Sequence, residues 1–122
     1  MKKTYFVLGE IYDSMFNDVE SEILIGRKVL SPSDAKEVIK DGVISCANRG
    51  DWATLSAMHD RFGIQVLIPD LSCHPNDILL SYGDRVLVMS VSGLPALATD
   101  NEIKSAVFRF SLYTVIDYVV VP

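Results

Sequence analysis

Cysteine is nearly absent from this chain. It has two, Cys46 and Cys73, in 122 residues. Their spacing to each other and to His59 and His74 fits no metal-ligand pattern, so no metal site is expected, and a reducing cytoplasm is the expected compartment. Runs of basic residues are missing too. Sixteen acidic residues against 11 basic ones leave a formal charge of −5, which argues against sequence-independent binding to long DNA or RNA. No apolar stretch has the length of a signal peptide or a membrane span, so no membrane partner is expected. There is no GxSxG elbow, P-loop or dinucleotide glycine pattern, and Glu10, Asp13 and Asp18 are not arranged as a cation loop. These absences point to no resident cofactor and no catalytic residue.

What is present is apolar character in an ordinary proportion, 49% hydrophobic and 22% charged. One globular domain over residues 1–122, with a core of its own, is expected. The chain reads as organised around residues 43–63, VISCANRGDWATLSAMHDRFG. Residues 43–47 are small, β-branched or apolar, the pattern of a strand buried on both faces, with Cys46 as a core residue. Asn48, Arg49, Gly50 and Asp51 supply turn chemistry. Asp51 is expected to cap a helix whose stripe of Trp52, Leu55, Met58 and Phe62 faces the core, and Gly63 to end it. A loop that leads from a strand into a helix start gathers N–H donors for an anion, and Arg49 adds charge. Asn48, Arg49, Gly50, Asp51 and Trp52 are therefore the candidate ligand-binding residues. A capping role alone also accounts for Asp51. His59 is expected at the border of the buried stripe, and His74 in a loop.

Elsewhere, residues 3–8 read as a strand, and 10–22 as a functional loop or short helical turn. Residues 23–25 read as a brief strand. Ser31 as N-cap, Pro32 at N1 and Asp34 in the first turn open a helix carrying Ala35, Val38 and Ile39 inward, closed at Asp41 and Gly42. Residues 64–68 suggest an edge strand or connection limited by Pro69. A hairpin is predicted from residues 77–80, a turn at 81–84 and a strand at 85–91. Thr99 and Glu102 have capping-box spacing. In the strand 106–115, Phe108, Phe110, Leu112 and Thr114 fall on one face, and Val107, Arg109, Ser111 and Tyr113 on the other. The apolar residues 116–122 should be covered. The fold class expected is α/β, with α+β as the alternative: a mixed sheet of about five strands flanked by helices.

Several segments in order carry a resemblance: SPSDAKEVIKDG, VISCANRGDWATLSAMHDRFGI, Asn76 before a strand, YGDRVLVMSVSGLP and TDNEI before a closing strand. From Val29 onward the chain resembles a small α/β family of archaeal viruses, phages and integrated elements. That family includes the viral anti-CRISPR ring nucleases that degrade cyclic tetra-adenylate. The resemblance implies a homodimer with a cleft for a cyclic nucleotide, and a counter-defence or sensing role. Ring nucleases of this kind carry a Gly-His-Glu-Ser-Thr motif at the helix start, with the His as catalytic acid. Gly50 and Thr54 match it, but Asp51 stands in place of the His. In their Arg-Pro-Pro-Glu turn Pro95 matches, while Leu94 replaces the Arg and Ala96 or Leu97 the Glu. A carboxylate is a poor substitute for imidazole as a proton donor at neutral pH. The expectation is thus a protein that binds a small cyclic nucleotide without cleaving it efficiently. The alternatives are a protein-protein interaction module without a ligand, and a divergent nuclease. Apolar residues 119–121 and the Phe108/Phe110 strand are further grounds for expecting a homodimer.

Overall fold

A computed structural model of the chain describes residues 2–16, 21–69, 75–94 and 99–120. Its strands are β1 (Thr4–Leu8), β2 (Ser21–Leu30), β3 (Ile44–Ser45), β4 (Arg85–Ser92) and β5 (Val107–Val120). The helices are α1 (Pro32–Lys40), α2 (Trp52–Phe62) and α3 (Asp100–Ser105). The five strands form one mixed sheet in the order β2-β5-β4-β1-β3. β1 runs parallel to both β3 and β4, whereas β5 is antiparallel to β4 and β2. This is the α/β architecture expected.

Local chemistry explains the helices. Ser31 accepts the Asp34 N–H at 3.1 Å, Pro32 occupies N1, and the Asp41 N–H bonds back to the Glu37 carbonyl. α2 ends where Gly63 takes φ 67° and donates to the His59 carbonyl at 2.8 Å. A left-handed backbone is open to glycine at little cost. Thr99 and Glu102 close the reciprocal capping box of α3. The Arg61 guanidinium donates to the carbonyls of Ile103 and Ala106 and lies over the rings of Phe62 and Phe108. It thereby fastens α3 to α2.

Both sheet faces are packed. On one, Phe6, Leu87, Met89 and Phe110 meet Ala35 from α1 and Leu55 and Met58 from α2. On the other, Val7, Val86 and Val115 meet Met15, Ile78 and Leu80, which short 3-10 turns and their flanking residues supply. The alternation of β5 holds, with Phe108, Phe110 and Leu112 on the helix side. Phe108 and Phe110 pack edge-on against Phe62 within the same chain. Phe110 is thereby fully buried and Phe108 half-buried, so this face offers a second copy little free surface.

Four expectations are corrected. β3 is two residues long and lies at the sheet edge with Ile44 exposed, not buried on both faces. The brief strand at 23–25 belongs to the ten-residue β2, which pairs along β5 with a register shift between Leu24 and Ile25. The 77–85 hairpin is absent. The 81–84 turn does form, with Gly83 at φ 83° and the Asp84 N–H on the Ser81 carbonyl. The buried Asp84 carboxylate accepts N–H groups from Ser81 and from Lys3, which sets the start of β4 against β1. β1 and β5 fill both edges of β4, so no edge remains for 77–80, where Leu80 makes an isolated bridge to Phe16. Residues 64–68 form a connection, one of the two forms expected. Of the apolar tail, Ile116 is exposed rather than covered; the side chains of 117–120 and all of 121–122 lie outside the described residues.

Candidate functional site

Parallel strands β1 and β4 share a register that ends at Leu8 opposite Met89. Gly9, at φ 105°, then turns away while its N–H bonds the Met89 carbonyl at 2.9 Å. The start of α2 comes up beside these strand ends. The result is a shallow pocket of about 180 Å³ bounded by Leu8, Gly9, Asp51, Thr54, Ser90 and Val91. The carboxyl ends of parallel strands are where α/β sheets commonly receive ligands.

The loop leading into α2 is built differently from the simple cap expected. Asn48 is the true N-cap, of a 3-10 turn Arg49–Asp51 that runs straight into α2. Its side-chain oxygen accepts the Gly50 N–H at 2.8 Å, and the Asp51 carboxylate reaches back to the Asn48 N–H, also at 2.8 Å. Asp51 thus caps, but as the N3 member of a capping box and not as the N-cap. The Asp51 N–H goes to the Asn48 carbonyl and the Trp52 N–H to the Arg49 carbonyl. The loop therefore satisfies four of the amides that the sequence offered to an anion. Its remaining donor of weight is the Arg49 guanidinium, exposed and without a hydrogen bond or ion pair among the described residues.

Trp52 departs furthest from expectation. Leu55 and Met58 are buried and Phe62 half-buried, but the Trp52 indole is 68% exposed. It stands at a second, larger groove of about 290 Å³ between α2 and residues 65–68. His59 is exposed as well, 3.8 Å from the Asp60 carboxylate. Among the described residues no three His, Cys, Asp or Glu side chains cluster as metal ligands, and no helix is long and apolar enough to cross a membrane. Leu94 is half-buried. Pro95, Ala96, Leu97, Cys73 and His74 lie outside the described residues.

Fold and pocket together define the class: a small α/β protein with a five-stranded mixed sheet and a crevice where two parallel strands end beside a helix start. Among solved structures, B116 of Sulfolobus turreted icosahedral virus shares this fold. It has a TM-score of 0.61 and 17% sequence identity, over 91% of this chain and 97% of that one. A virus protein thus has the same architecture, in keeping with an α/β fold found in archaeal viruses. No protein-family model matches the chain, and no curated protein matches it.

Proposed function

We propose that the chain is a virus or mobile-element protein that binds a small cyclic nucleotide without efficient cleavage, as a counter-defence or sensing factor. The observation that carries this reading is the unpaired Arg49 guanidinium, displayed on a self-capped loop at the start of α2. An unpaired cation held on a fixed backbone loses little freedom when an anion arrives, and its planar fork suits a phosphate. Because the loop amides bond internally, the guanidinium and not the backbone carries the contact. Asp51, where a ring nuclease would hold its catalytic His, already gives its carboxylate to the Asn48 N–H. That supports binding over cleavage.

Calorimetric titration of a panel of cyclic nucleotides tests the reading. Arg49→Ala should weaken binding by about 1.5–3 kcal/mol, the range for a charge-assisted hydrogen bond, and Asp51→Asn should leave it equal or stronger. Binding that ignores Arg49→Ala would place the site elsewhere.

A second reading rests on a different surface. β2 is an edge strand on which Leu24 and Val29 are exposed, Val29 by 66%, and Ile116 on the adjoining β5 is exposed as well. Apolar side chains along a free edge favour a protein contact, either a homodimer or a host partner. If no nucleotide binds, this interaction module becomes the better account.

A further inference from the structure

The helical run that starts with the 3-10 turn and continues through α2 places Arg49, Trp52, Ser56 and His59 at intervals of three, four and three residues. Those intervals keep all four side chains on one face. This is not the face that meets the strand-end crevice, which receives Asp51 and Thr54. Opposite it runs the segment after α2. Ile64, Val66 and Ile68 pack into the core, so Gln65 and Leu67 are turned outward, and Leu67 is 74% exposed. The groove between has an apolar floor, an exposed indole on its rim, and three polar groups along its length. Among the described residues neither the Ser56 hydroxyl nor the Gln65 carboxamide has a hydrogen-bond partner. Apolar walls with a few convergent, uncommitted polar groups are the usual composition of a small-molecule site.

We infer that this groove is the base-binding subsite of a nucleotide, with the ring stacked on Trp52, its edge toward Gln65 and its phosphate toward Arg49. Three features select that ligand. The exposed indole offers a flat face to another flat ring. The Gln65 carboxamide can donate and accept at once, as the edge of a nucleobase does. Arg49 lies one helical turn from Trp52, about 5 Å along the axis, so a phosphate one sugar away from a stacked base comes within its reach. A purely aliphatic ligand would leave the guanidinium and the carboxamide without counterparts. The inference rests on the nucleotide-binding reading and adds where the base goes: on the far side of α2 from the strand-end crevice.

Trp52 is the single tryptophan of the chain, so its emission reports this groove alone. Adenosine monophosphate, adenosine and inorganic phosphate are each titrated against the protein by fluorescence and calorimetry. The expected result is saturable quenching by adenosine monophosphate. Its affinity should fall about ten-fold or more in Trp52→Ala, recover largely in Trp52→Phe, and fall about five-fold in Gln65→Ala. The indole is largely solvated, so Trp52→Ala should melt with the wild type, which separates lost binding from lost folding. No binding of adenosine monophosphate, or binding with unchanged emission and full affinity in Trp52→Ala, overturns the proposal. If adenosine binds as tightly as its monophosphate and Arg49→Ala is silent, the base subsite stands and the phosphate role of Arg49 falls. If cyclic tetra-adenylate binding is lost in Arg49→Ala but untouched in Trp52→Ala, the subsite falls and the nucleotide-binding reading stands.

Discussion

Removing the Asp51 carboxylate separates the structural work of the α2 loop from its part in binding. In the wild type that group holds the Asn48 N–H at 2.8 Å, while the Asn48 side chain holds the Gly50 N–H at the same distance. Asp51→Ala opens the first of these bonds. Asn48 is exposed, so water replaces the lost acceptor and the cost stays near the middle of the capping range, about 1 kcal/mol. For a domain of this size that lowers Tm by roughly 4 °C. Asp51→Asn keeps an oxygen in place and gives up mainly the charge near the positive end of the helix, about 0.5 kcal/mol. Because both bonds belong to one box, Asn48→Ala and Asp51→Ala should not add. The double variant should recover at least about 0.5 kcal/mol relative to the sum. Urea unfolding followed by far-UV circular dichroism measures the wild type and all four variants. Full stability in Asp51→Ala, or strict additivity, would refute the assignment of Asp51 as a capping residue and reopen it as a functional carboxylate.

Met58 is fully buried between α2 and the sheet, so Met58→Ala should cost about 2–5 kcal/mol in the same unfolding assay; a loss under 1 kcal/mol would mean that α2 does not dock as described. Cyclic tetra-adenylate incubated with the purified protein should be recovered intact by chromatography. Rapid turnover that disappears in Asp51→Ala would show the chemistry to be wrong. Light scattering should give the mass of two copies. A single-copy mass across a wide concentration range would remove the homodimer and leave the exposed β2 edge to another partner.

Much of this protein is written locally. The caps of α1 and α3, the glycine that stops α2, and the alternation of Phe108, Phe110 and Leu112 each depend on residues within a few positions of one another. They could be read from spacing because hydrogen-bond geometry and side-chain period operate over that range. The loop from Asn48 to Trp52 was legible as a turn into a helix. Which of its two acidic or amide side chains served as N-cap was not, since both types cap well.

Tertiary structure decided the rest. The ten residues of β2 hold Arg27 and Lys28 outward at a sheet edge, so no apolar alternation marked them, and their length comes from the long partner β5. The hairpin signal at 77–85 was overruled because Asp84 ties the start of β4 to Lys3, some eighty residues away in sequence, and β1 and β5 then take both edges of β4. Trp52 sits at helical spacing from Leu55 and Met58, yet only those two are covered. Spacing fixes which side chains share a face of a helix. How far along that face the sheet and the 64–68 segment extend is a matter of docking, and it is this that leaves the first turn of α2 with its indole in solvent.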